Sequence, residues 1–293
     1  MWIDGVFSGG GVKAFAFVGA LQVMEEKGYQ FKRVAGTSAG SIIAAFVAAG
    51  FTSQEIHQEM EDIQPKLFMD QDMIYRFPFI RWIGLYKRLG LYKGKVFEDW
   101  IDTRLAEKKV KTFGDLEKGA LTIIASDLTS GKMLVFPDDL PSYGINPDHF
   151  PVSKAVRMSC GLPFFFQPLT LYNKDGKKCL IVDGGVISNF PVWVYEENQI
   201  PPRPYLGFQL SSKNDYFVET DINNAFELFK SLFETMKEAH DAKYISSDVL
   251  PNIVFLPVEY MKTSNFKLSR EDQDKLVQIG RDRTRTFIKK WTH

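Results

Sequence analysis

RVAGTSAGSIIAAFVAAG, residues 33–50, sets Ser38 between Gly36 and Gly40, after a short apolar stretch and before a run of small residues. Small flanking residues let a chain turn sharply from strand into helix, so that the serine Oγ projects at the helix N-terminus. The unpaired N–H groups and the macrodipole at that end favour negative charge. The same five residues also describe a serine that merely caps the helix over 41–50. A serine hydroxyl becomes a nucleophile only when one group takes its proton and others stabilise the oxyanion its attack creates. The rest of the chain therefore decides between the two readings.

Upstream, IDGVF (3–7) reads as a strand running into Ser8-Gly9-Gly10-Gly11, and residues 12–27 carry apolar positions at helical spacing up to a C-cap at Gly28. A second short strand near Lys32–Ala35 leads into the serine turn. Strand–loop–helix repeated twice is the rhythm of a parallel α/β sheet. Later strands are expected at Leu121–Ser126, Met133–Phe136, Cys179–Val182, Tyr205–Leu210 and Ile253–Val258. Helices are expected around 54–63, 95–107, 151–159, 222–245 and 270–290, and Tyr172–Lys177 reads as a hairpin turn. Neither repeat nor linker interrupts the pattern; Pro201-Pro202-Arg203-Pro204 leads directly into a strand. The expectation is one α/β domain over 1–293, a three-layer α/β/α architecture around a mostly parallel sheet.

Gly9-Gly10-Gly11 between strand and helix can aim bare backbone N–H groups at an anion. Gly9-x-Gly11-x-x-Ala14 also meets the loose dinucleotide fingerprint, but that reading wants a carboxylate at the end of the second strand. The chain offers Ala35-Gly36-Thr37-Ser38 there, and the dinucleotide reading fails. Asp183-Gly184-Gly185 is the third element. An Asp-Gly pair is ordinarily a turn; Asp183 differs because it ends the apolar strand Cys179–Val182, on the edge where open α/β sheets build their sites.

Taken together, Gly9-Gly10-Gly11-Val12-Lys13, Gly36 to Gly40 and Asp183 to Gly185, in that order, resemble the patatin-like phospholipase family. Ser159-Cys160-Gly161-Leu162-Pro163 resembles the family's Ser-x-x-x-Pro segment, and the likeness spans about residues 3–210. The resemblance implies a patatin-like fold, Ser38 as nucleophile, Asp183 as base and the amides of Gly9, Gly10 and Gly11 as the oxyanion hole, without metal or cofactor. It also implies hydrolysis of a membrane-lipid ester, with phospholipid or lysophospholipid as substrate, through an acyl-serine intermediate. Lys13-Ala14 stands where many members have Arg-Gly, so Lys13 is left outside the site, and Met158 stands where a small residue is common.

Other readings use the same residues. Ser38, Asp183 and His240 satisfy the order of a Ser-Asp-His hydrolase, but only one strand and one helix precede the serine turn, and His240 sits in the charged stretch FETMKEAHDAK. An acyltransferase would resolve the acyl-enzyme with another alcohol. A lipid-binding module would need neither Ser38 nor Asp183. SCGLPFFF (159–166) fits an acyl pocket or plain core packing.

Composition narrows the partners. Of 293 residues, 45% are apolar and 25% charged, and 36 Lys+Arg balance 36 Asp+Glu, so no global field recruits nucleic acid. Cys160 and Cys179 form neither a disulfide framework nor a zinc site. Without a visible secretory signal or a spanning apolar run, a soluble cytoplasmic protein is the default expectation, with signal-independent export left open. Residues 73–97 interleave Arg76, Arg81, Lys87, Arg88, Lys93 and Lys95 with aromatic rings and contain no acid. That mixture suits peripheral contact with a membrane surface, and equally a connecting helix with snorkelling cations.

Overall fold

The computed structural model describes residues 1–62, 70, 85–195, 203–210, 222, 228, 231–232, 235–236, 241, 245, 249–258 and 268–291. Its strands are β1 (Trp2–Phe7), β2 (Gln30–Thr37), β3 (Gly90–Tyr92), β4 (Leu121–Asp127), β5 (Lys132–Phe136), β6 (Phe164–Phe166), β7 (Leu169–Tyr172), β8 (Lys178–Asp183), β9 (Tyr205–Gln209) and β10 (Ile253–Phe255). Its helices are α1 (Phe15–Glu26), α2 (Ala39–Ala48), α3 (Ser53–Asp62), α4 (Lys95–Glu107), α5 (Val152–Ser159) and α6 (Arg270–Ile288).

A mostly parallel sheet flanked by helices forms the centre. Across it the strands run β10-β9-β1-β2-β4-β8-β7, with β5 paired to β4, and the stretch from β10 to β4 is parallel throughout. The inner strands are covered on both faces. Ile3 and Phe7 of β1 join the larger core cluster with residues of α1, α2 and α6, whereas Val6 joins Ala35, Phe190, Val192 and Ile253 on the other side. Burial on both faces explains why IDGVF reads as an apolar run rather than as an alternating strand.

The pairing around β4 positions the site. β5 occupies one edge of β4 from Ile123 to Asp127. Two strands share the opposite edge: β2 runs parallel along Leu121–Ile124, with Thr37 facing Ile124, and β8 arrives antiparallel, with Asp183 facing Ala125. The C-terminal ends of β2 and β8 therefore meet head to head at adjacent register positions, although 145 residues separate Ser38 from Asp183.

Three short strands were not in the expected element map: β7, which pairs with β8 at the sheet edge, and the two strands of a small pair. That pair, β3 with β6, is parallel and lies outside the main sheet. Arg157 of α5 holds it: its guanidinium donates to the carbonyls of Lys93 and Gly94 beside β3 and of Gln167 after β6, and lies 4.3 Å over the Phe166 ring. Burial depresses the Arg157 pKa to about 10, which still leaves it charged at neutral pH. Phe165 and Phe166 pack there with Tyr92, while Phe164 is exposed, so SCGLPFFF serves largely as packing. Most of the expected helix over 222–245 lies outside the described residues; Leu228, Leu232 and Met236 within it are helical and exposed. Of the basic-aromatic segment 73–97, residues 73–84 lie outside the described set, and Tyr86, Lys87 and Arg88 are exposed.

Candidate active site

Ser38 closes β2 and opens α2 with φ 52° and ψ −127°, a backbone conformation that a residue bearing a Cβ adopts only at a cost of about 1–3 kcal/mol. The turn is tight because Gly40 lies against the carbonyls of Phe7 and Ser8, where any Cβ would overlap them. Although Ser38 stands at the N-cap position, its side chain makes no capping bond. Its Oγ instead donates to Asp183 Oδ2 at 2.8 Å. The capping alternative fails on that observation.

Asp183 is 4% exposed at the end of β8. Its second oxygen, Oδ1, accepts the Gly185 N–H at 2.8 Å, which fixes the carboxylate and turns Oδ2 towards the serine. One segment then braces both residues. Ser159 Oγ accepts the Ser38 N–H at 2.8 Å and donates to Ile124 O at 2.6 Å, while Gly161 O accepts the Asp183 N–H at 2.9 Å. The stretch 159–163 is therefore a brace for the Ser38–Asp183 pair. Sequence pattern marked the stretch but not this task.

The glycine loop lies beside the serine: a Cβ built on Gly9 would stand 3.2 Å from Ser38 Cβ. The three amides differ. Gly9 N–H donates to Asn189 O at 2.9 Å and is already engaged. Among the described residues the N–H groups of Gly10 and Gly11 meet no acceptor. Gly10 is half-buried and Gly11 is exposed with φ 58°. The Gly9 amide is thus taken up in the packing of the loop, and the unengaged donors are those of Gly10 and Gly11.

Cys160, within the brace, has its Sγ 3.8 Å from Ser41 Oγ. Desolvation first, and then the Asp183 charge, push its thiol well above the ordinary range, which disfavours the thiolate. His57 faces Glu61 and the Phe15 ring, His149 lies in a short turn at 147–149, and His240 and His293 lie outside the described residues. Among the described residues no cluster of three His, Cys, Asp or Glu side chains has metal-binding geometry, and no helix is long and apolar enough to cross a membrane.

Residues 5–194 match the patatin-like phospholipase family. The chain is 50% identical to the uncharacterized protein YqhO of Bacillus subtilis over the full length of both. It is 26% identical to a cUMP-AMP-activated phospholipase of Escherichia coli over 62% of this chain and 54% of that protein. Among solved structures, VipD from Legionella pneumophila superposes with a TM-score of 0.58 at 16% identity, covering 99% of this chain and 67% of VipD, a likeness of fold.

Proposed function

The chain belongs to the patatin-like phospholipase family, and on that premise we propose that it is a lipid acyl hydrolase working through Ser38 and Asp183. The observation that carries the reading is the 2.8 Å bond from the hydroxyl of a strained serine to a buried carboxylate held at its other oxygen. In the first half-reaction Ser38 Oγ attacks the ester carbonyl carbon and its proton passes to Asp183 Oδ2. The carbonyl oxygen becomes an oxyanion facing the Gly10 and Gly11 amides and the N-terminus of α2. Collapse expels the alcohol, which takes the proton from Asp183, and leaves an acyl-serine. Asp183 then takes a proton from water, whose oxygen attacks the acyl carbon; collapse breaks the bond to Ser38 Oγ, which takes that proton back from Asp183, and the fatty acid departs.

An aspartate with a reference pKa of about 3.9 is a weak base for a serine hydroxyl. Proton transfer and attack must therefore be concerted, with the developing charge stabilised as it forms by preorganised amides near a desolvated carboxylate. Phospholipid or lysophospholipid is the substrate class this reading favours. Exposed Tyr86, Lys87 and Arg88 suit an approach to a headgroup surface.

Incubation of the protein with mixed lipid vesicles, followed by mass spectrometry of the products, tests the proposal beside Ser38→Ala. Free fatty acid and lysolipid or glycerophosphodiester appear with the natural chain and are absent with Ser38→Ala. Products that persist in Ser38→Ala refute the assignment. Added alcohols distinguish hydrolysis from acyl transfer by the appearance of new esters.

A further inference from the structure

The site rests on a three-residue bracket, Ser188-Asn189-Phe190, that lies outside any helix or strand. Ser188 O accepts the Thr37 hydroxyl at 3.1 Å, one residue before the nucleophile. Asn189 O accepts the Gly9 N–H, and Asn189 Oδ1 lies so close to Gly9 that a Cβ there would overlap it. The bracket thus sets the spacing between the serine turn and the glycine loop. Ser188 N–H is tied back to Gly184 O at 2.8 Å, whereas something else must hold Asn189 and Phe190.

Asp241 does so. Its carboxylate is 5% exposed and spans two donors, taking Asn189 Nδ2 on Oδ2 at 3.1 Å and the Phe190 N–H on Oδ1 at 3.0 Å. Asn189 is itself 8% exposed. Charge-assisted bonds inside a protein are about twice as strong as neutral ones, and two of them fix both position and rotation of the group they hold. Asp241 lies beyond residues 5–194, the part of the chain matched to the family, and in sequence it is one more acid in a charged stretch.

We propose that Asp241 is a positioning residue for the oxyanion loop, acting through Asn189 on Gly9 and hence on the Gly10 and Gly11 amides. The inference rests on the hydrolase reading above. An oxyanion donor is worth about 10²–10³ in rate, and a displacement of about 1 Å far from the chemistry can cost about 10². Loss of the Asp241 anchor should therefore lower kcat by about 10- to 100-fold while KM stays within about threefold, because the loop meets the transition state and not the acyl chain.

The test is steady-state hydrolysis of a p-nitrophenyl ester by the full chain and its variants Asp241→Asn, Asn189→Ala, His240→Ala and Ser38→Ala. Active sites are counted by end-point fluorophosphonate labelling. Asp241→Asn is expected to lose kcat per labelled site as stated, with an unshifted pH profile because Asp183 is untouched. Asn189→Ala, which keeps the carbonyl that accepts Gly9 and the Asp241–Phe190 bond, loses about tenfold and carries the test if Asp241→Asn does not fold. His240→Ala keeps wild-type kcat. Wild-type kcat per site in the folded Asp241→Asn, or in Asn189→Ala if that variant alone folds, beside an inactive Ser38→Ala, overturns the inference alone. A loss that only tracks the number of labelled sites does the same. Activity that survives Ser38→Ala overturns the hydrolase reading and the inference with it.

Discussion

Two places in this molecule hold glycine where a Cβ would overlap a neighbour, and they use it for opposite ends. Where α1 crosses α6, Gly19 lies against Val277 O and Gly280 against Ala16 O, and a Cβ on either would overlap the partner backbone. All the amides there belong to helices, and the gain is close packing, flanked by Arg281 on Gln22 and Glu26. In the Gly9–Gly11 loop, Gly9 packs against Asn189 and Ser38, but among the described residues the next two amides meet no acceptor. Close approach stabilises in the first place. In the second it leaves two unengaged amides in the loop that packs against Ser38. Substitutions should therefore split cleanly into those that change rate and those that change stability.

The largest effect falls on the rate side. Asp183→Asn should lower ester hydrolysis by at least about 10³-fold, since the amide cannot take the Ser38 proton. Its unfolding temperature should stay near wild type, because the asparagine Oδ1 can still accept Gly185 N–H; circular dichroism with kinetics checks both. Equal losses of fold and activity would blur the comparison. Gly10→Ala comes next. Its Cβ would press on the side chain of Leu210, a flexible neighbour that can yield, so the protein should fold while kcat drops about tenfold or more as the amide shifts.

Gly280→Ala is the mirror experiment. The backbone of Ala16 cannot yield as a side chain can, and overpacking should cost about 1–3 kcal/mol in denaturant unfolding. The kcat per labelled site should not change. A lower kcat per site would mean that the helix crossing sets the geometry of the loop that precedes α1. The smallest effect concerns the same crossing. Hydrogen bonding from Arg281 holds the Glu26 carboxyl below its ordinary 4.5. A depressed folded pKa gives stabilisation that is present above the unfolded value and lost as pH falls through the folded one. The gap in unfolding temperature between wild type and Arg281→Ala, small at pH 7 for so exposed a pair, should therefore close below about pH 4.

Much of this arrangement was legible before any coordinates. The β1 and β2 runs end in glycine-rich turns followed by apolar helices, so local propensity and fold agree there. Ser38 and Asp183 were each marked by the glycines beside them. Their meeting was carried by resemblance, because no local pattern announces that β2 and β8 end against one edge of β4. The β3–β6 pair escaped notice since three-residue strands held by a buried arginine owe their form to tertiary contacts. Gly9 looked like its two neighbours, and only the position of Asn189 separates an engaged amide from unengaged ones. Asp241 carried no signal at all; an acid in a charged stretch reads as surface until its partners are seen.

The central claim is that Ser38 is activated by Asp183 alone. Fluorophosphonate labelling followed by peptide mass spectrometry tests it most directly, on wild type, Asp183→Asn and His240→Ala. A single adduct on the peptide containing Ser38, formed at similar rates in wild type and His240→Ala and at least about 10²-fold more slowly in Asp183→Asn, is the predicted result. An adduct elsewhere, or a rate that collapses with His240→Ala and survives Asp183→Asn, would contradict it.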